Sequence, residues 1–205
     1  MDLLLNGQPL SVDDINSESD LAELVELLDE ELGRNDLTIV RITADGNTFS
    51  PEDKDSLKKV KILDHQKVEI EAQNPMEIVR EGVETSSEVL PYFKGISDKI
   101  INALRLGNVK EAMDNYMPFI EGLTWLSMIL QYLSLGYAGK TLDKTAEETR
   151  KLLLSRFLEQ MGGLCVACEN KDWVTMADIL EYEFPEIFGS AGKFLDEIAE
   201  WGRKS

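Results

Sequence analysis

The chain has 205 residues, 43% of them hydrophobic, with 39 acids against 21 bases and a formal charge of −18. That length and composition fit one large domain or two small ones, each able to bury a core. The acidic balance argues against nucleic-acid binding, which needs clustered Lys and Arg to displace counterions from phosphate.

Met1-Asp2-Leu3-Leu4-Leu5 has no basic start and only a short apolar run, so no signal peptide is expected. No stretch reaches the roughly 20 apolar residues of a membrane span. A cytoplasmic protein without a membrane partner is the expectation. Two cysteines are too few for a disulfide scaffold. Residues 1–73 hold 18 acids and 7 bases, a net of −11, and the rest hold 21 and 14, a net of −7.

Leu3-Leu4-Leu5 followed by Asn6-Gly7 is a hairpin signal, because both turn residues tolerate positive φ. Gln8 to Val12 is the expected return strand, with Pro9 suited to an edge. Ser17 or Ser19 is placed to cap a helix starting near Glu18 or Asp20, and Leu21, Leu24, Val25, Leu28 and Leu32 recur at helical spacing. Gly33 ends it. Leu37 to Thr43 is rich in β-branched residues, and Asp45-Gly46 turns it toward a short strand at Thr48-Phe49. Pro51 to Leu57 has room for one helical turn. Gln66 to Ala72 alternates Val68, Ile70 and Ala72 with Lys67, Glu69 and Glu71, as a half-buried strand does.

The pattern changes at Asn74-Pro75, a cap followed by a proline suited to the first helical position. From there only long amphipathic helices are expected, so the domains are 1–73 and 74–205. The first runs from Ile78 to Leu104, with Pro91 kinking or splitting it. The second starts near Val109 and runs to Leu133, bent at Pro118. Gly136 to Thr141 is a loop, and Asp143 or Thr145 caps a third helix through Ala167. A fourth runs from Trp173 to Trp201, kinked at Pro185. Four such segments with short turns pack as an antiparallel bundle. Ala103 to Tyr116 echoes Ala167 to Leu180, placing Gly107-Asn108-Val109 opposite Lys171-Asp172-Trp173. The fold class expected is α+β: a small sheet domain, then a helical bundle.

No catalytic constellation stands out. Cys165-Val166-Ala167-Cys168 falls late in a helix, not at the N-terminus that lowers a thiol pKa, and both thiols are expected to pack inward. The single histidine, His65, lies in the sheet domain and reads as a surface residue. Without histidine in the helical half, the acids Glu147, Glu148, Glu181, Glu183 and Glu186 do not form a di-metal carboxylate site. There is no Gly-rich phosphate loop. No cofactor, no metal and no enzymatic activity are expected.

In strand and helix order the first third resembles the β-grasp (ubiquitin-like) fold, with a ferredoxin-like domain as the competing fold. No Gly-Gly tail follows its last strand, so conjugation is not implied. The helical half resembles the flagellin-type flagellar export chaperones. The residues concerned are Asn74-Pro75-Met76-Glu77-Ile78-Val79, Gly107-Asn108-Val109-Lys110-Glu111-Ala112, Lys171-Asp172-Trp173, and Leu195-Asp196-Glu197-Ile198 with Trp201. That family's Tyr-Asp-Gly is absent, and Glu81-Gly82-Val83 stands nearby. The resemblance implies a helical bundle that holds helices of a client.

The functional expectation is a non-enzymatic chaperone or adaptor that holds an amphipathic, basic partner helix in a bundle groove. Met113, Met117, Met128 and Tyr132, with Tyr137 nearby, are the candidate partner-binding residues, because methionine adapts to irregular apolar partners. Two alternatives stand beside it: a redox or metal-dependent protein using Cys165 and Cys168, and a self-associating structural module that forms a homodimer.

Overall fold

The computed structural model of the protein describes residues 2–11, 19–51 and 53–203. The chain divides into two units, Met1–Glu77 and Ile78–Ser205. The architecture is α+β, as expected: a five-stranded sheet with short helices first, then helices alone.

In the first unit β1 (Asp2–Leu5), β2 (Gln8–Pro9), β3 (Thr38–Ala44), β4 (Asn47–Phe49) and β5 (Lys67–Gln73) form one sheet in the order β2-β1-β5-β3-β4. β1 pairs parallel with β5, and the other pairs are antiparallel. Pro9 sits on the edge strand, where its missing N–H leaves no ladder bond unmade. Asn6 and Gly7 both have positive φ, as do Asp45 and Gly46, so each pair makes the turn its sequence announces. The Asn6 carboxamide also bonds both backbone groups of Ala72, donating at 2.9 Å and accepting at 2.8 Å. It thereby ties the first turn to β5.

Helix α1 (Leu21–Gly33) lays Leu21, Leu24, Val25, Leu28 and Leu32 against Ile39, Ile42, Val68 and Ile70 in one buried core. Each fully buried Leu or Ile contributes about 1.5–3 kcal/mol over leaving it in water. The cap is Asp20, whose carboxylate accepts from the N–H groups of Ala22 and Glu23. Ser19 is therefore not the cap, and it is buried, with its carbonyl accepting from Ile62. Val12, Ser17 and Glu18 lie outside the described residues. The left-handed residue after α1 is Asp36, not Gly33. A one-turn helix, α2 (Lys54–Leu57), buries Leu57 in the same core.

The helical unit contains α3 (Pro75–Arg105, whose first residues belong to the first unit), α4 (Val109–Tyr132) and α5 (Lys144–Glu169). Its fourth segment is α6 (Trp173–Asp178), a π-helical turn (Ile179–Glu183) and α7 (Phe184–Arg203). Aromatic rings from all four segments meet inside: Phe93, Phe119 and Trp125, Phe157, and Phe184 with Phe188. Both α3 and α4 run unbroken through Pro91 and Pro118, so of the kink or split expected at Pro91 the split does not occur. At Pro185 the chain adjusts differently. The Phe184 N–H reaches back five residues to the Ile179 carbonyl, and the next π bond, to Leu180, is impossible because Pro185 has no N–H. The buried Ser97 hydroxyl donates to the Leu180 carbonyl instead, at 3.4 Å.

The echo between Ala103–Tyr116 and Ala167–Leu180 has a structural counterpart in two helical hairpins. Gly107 and Asn108 donate to Leu104 and Ala103 at 3.0 and 2.8 Å, and Lys171 and Asp172 donate to Cys168 and Ala167 at 3.0 and 2.9 Å. Asn108 and Asp172 then cap α4 and α6. With an offset of 64, Ala112 matches Met176 and Tyr116 matches Leu180 in burial. Beyond the π turn the offset is 65, so that Phe119, Leu126 and Leu130 match Phe184, Ala191 and Leu195, all fully buried. The π turn is a one-residue insertion in the second hairpin, and its wider turn keeps the core face inward.

Candidate partner-binding surface

Along α4 the four candidate residues fall within about a 100° arc at 100° per residue. Met117 is 60% exposed, and Met113, Met128 and Tyr132 are half-buried. None is a core residue. The core face of α4 is formed instead by Ala112, Phe119, Leu123, Leu126, Ile129 and Leu130. Tyr137 lies in the loop after α4, half-buried, with burial raising its phenol pKa.

α5 runs antiparallel beside α4, and two contacts fix the register. Arg150 Nη1 donates to the Leu130 carbonyl at 2.8 Å, and the Tyr116 hydroxyl lies close enough to Cys165 and Cys168 for both thiols to raise its pKa. That register sets Met117 level with Cys165, Ile120 with Met161, and Thr124 with Leu158. Leu158 is 50% exposed, while Ile120, Leu154 and Met161 are half-buried. Together they make an outward apolar strip shared by two helices. Glu121 and Glu159 border it, neither with a basic partner among the described residues.

The thiols do not both pack inward. Cys165 is exposed and Cys168 half-buried, because their α5 positions face the strip and not the aromatic centre. Burial raises the Cys168 thiol pKa, with Cys165 adding to it and the Tyr116 hydrogen bond opposing. Tyr116 is itself raised well above the ordinary phenol value, first by burial and then by the two thiols. Among the described residues no group of three or more His, Cys, Asp and Glu is arranged to hold a metal ion. Among the described residues no helix is long and apolar enough to cross a membrane.

The acids considered for a metal site, Glu147, Glu148, Glu181, Glu183 and Glu186, and the histidine have structural partners, Glu148 with Lys144 at 3.8 Å. Glu181 pairs with Arg105, and Glu183 and Glu186 both pair with Arg156, so the π turn is tied to α3 on one side and α5 on the other. Glu147 holds the buried Arg150 guanidinium through two oxygens at 2.6 and 2.7 Å. His65 lies 3.1 Å from the Asp45 carboxylate. That carboxylate is held below its ordinary value mainly by the Lys67 and Gln66 N–H groups.

The two hairpins differ at this surface. Positions Lys94, Ser97, Asp98, Ile101 and Asn102 of α3 correspond to Leu158, Met161, Gly162, Cys165 and Val166 of α5, and Glu181 corresponds to Met117. Where the first set forms a polar cleft against the π turn, the second is apolar and open. Sequence reasoning found the α4 half of the strip through its methionines. It missed Leu154, Leu158 and Met161, whose only signal was apolar residues one position outside the core stripe of α5.

A two-unit α+β protein with an uncovered apolar strip on its bundle is what the fold and this surface define. Residues 81–192 match the family described as a domain of unknown function (DUF8042), more than half of the chain, and the protein belongs to that family. Residues 1–74 match the TP0873 N-terminal domain. No curated protein and no solved structure matches the chain.

Proposed function

We propose that the protein is a non-enzymatic chaperone or adaptor that holds an amphipathic, basic helix of a partner protein along the outer α4–α5 face. The observation carrying this reading is the uneven cover of the two hairpins. α3 buries 13 of its 31 residues, and α5 buries only five of its 26. The positions left open on α5 carry Leu154, Leu158 and Met161, which meet Met113, Met117 and Ile120. A helix laid there would cover apolar surface that water now contacts, and Glu121 and Glu159 would meet its basic flanks. The resemblance of the bundle to flagellin-type export chaperones supports a client-holding role in the cytoplasm. The strand order with a parallel β1–β5 pair supports the β-grasp-like reading of the first unit.

The test is fluorescence anisotropy of a labelled 18-residue Leu/Lys amphipathic helix titrated with the full chain. Binding should weaken at least tenfold in Met117→Glu/Leu158→Glu, with far-UV circular dichroism unchanged; such hot-spot losses are of order 2 kcal/mol. Binding that survives the double substitution, or that a Leu/Glu analogue matches, overturns the proposal. Concentration-dependent dimerisation that the double substitution abolishes would favour the self-association reading instead.

A further inference from the structure

A second cleft, away from the α4–α5 face, lies between the start of α5 and the end of α7. It has a volume of about 220 Å³ and is lined by Leu142, Asp143, Ala146, Phe194, Glu197 and Trp201. The corresponding place in the first hairpin is shut. There Gly82 lets Ile129 press against the α3 backbone so closely that a Cβ on Gly82 would lie 2.2 Å from Ile129 Cδ1. In the second hairpin Ala146 stands for Gly82 and Phe194 for Ile129, so a methyl group and a larger ring hold the helices apart. Phe194, Ile198 and Trp201 give it apolar walls, Thr145 and Thr149 add hydroxyls, and Asp143 and Glu197 supply the acids. Glu197 has no basic partner among the described residues, and the Asp143 carboxylate accepts from the Ala146 N–H. The Lys140 ammonium sits 5.4 Å from the centre of the Trp201 ring, a cation–π contact at one end of the cleft.

We propose that this cleft binds an apolar side chain flanked by Lys or Arg in a partner peptide. A cavity of this size takes one large side chain, with Phe194 and Trp201 against its ring or branch. Glu197 and Asp143 receive the neighbouring cation at the rim, where an exposed pair selects more than it strengthens. A peptide with acids in those places meets like charge and is rejected.

The experiment is an amide and indole NMR titration of the 15N-labelled full chain with acetyl-Lys-Phe-Lys-amide, and in parallel with acetyl-Glu-Phe-Glu-amide. The first peptide should give saturable shifts at the Trp201 indole N–H and the Ala146 amide, and the second none. Ala146→Phe fills the cleft and should abolish the shifts. Glu197→Gln should weaken binding about two- to fivefold, as loss of an exposed pair does. Met117→Glu should leave this binding unchanged, which separates the cleft from the α4–α5 face. Equal shifts from both peptides, no saturable shift from the first, or undiminished binding in Ala146→Phe overturns the proposal. If Ala146→Phe loses helicity, Glu197→Gln decides: an affinity indistinguishable from the parent chain overturns it.

Discussion

The two helical hairpins share a turn, a cap and a burial pattern, yet one is finished and the other is not. In the first, Ile101 and Leu104 are buried, and the matching Cys165 and Cys168 of the second are exposed and half-buried. In the first, Gly82 closes α3 on α4; in the second, Ala146 leaves a cleft. The same local geometry therefore serves two ends. Polar pairing at Arg105–Glu181 and Ser97–Leu180 lines a polar cleft on one side of the bundle, and apolar residues left in water mark the other. An exposed apolar strip costs solubility and is retained where something covers it.

That comparison can be broken by experiment. The shared core should be equally demanding in both hairpins: Phe93→Ala and Phe157→Ala should each cost about 3–5 kcal/mol in urea unfolding. A cost under 1 kcal/mol at Phe157 would show that the second hairpin is loosely packed throughout. Next comes Arg150, buried at the position of Ser86. Arg150→Ala removes the donor to the Leu130 carbonyl and the partner of Glu147, and should cost on the order of 2–3 kcal/mol.

The Arg150 pair also sets a pH dependence. Hydrogen bonds from Arg150, then from Lys151, pull the Glu147 carboxyl from 4.5 to about 2. Its pKa is depressed on folding, so its stabilisation is complete above about pH 4.5 and lost as the pH falls toward about 2. Urea midpoints of the parent chain should drop across that window more steeply than those of Glu147→Gln.

Smaller effects sharpen the contrast. Ser97→Ala leaves the Leu180 carbonyl unpaired beside Pro185 and should cost about 1 kcal/mol. Cys165→Ser should change stability by less than about 0.5 kcal/mol, as exposed substitutions do, whereas the matching Ile101→Ser should cost about 3 kcal/mol. Equal costs at those two positions would erase the difference on which the proposed binding face rests.

Fragments ending at Gln73 and starting at Asn74 are expected to fold separately, the second with the more helical spectrum. An unfolded fragment in circular dichroism, beside a cooperative full chain, would show that the units depend on each other.

Much of the local structure was written in short sequence signals. Asn6-Gly7 and Asp45-Gly46 make the expected turns because only such residues take left-handed backbone cheaply. Asn108 and Asp143 cap helices because their side-chain oxygens meet free N–H groups within three residues. Met117 was singled out in the sequence as one of a cluster of methionines suited to irregular apolar partners, and it is 60% exposed.

Where the expectations missed, a distant partner decided the outcome. Pro185 announced a disturbance, but its form, a π turn closed by Ser97, required a hydroxyl 83 residues away in sequence. The outward position of Cys165 followed from which face of α5 the aromatic centre claimed. The Asn6 clasp on Ala72 spans 66 residues. By itself the sequence determined turns, caps, helical stripes and an acidic surface, since these depend on backbone preference and neighbours within one or two turns. Only the tertiary structure decided which stripes were covered, because burial depends on what another segment brings to the same place.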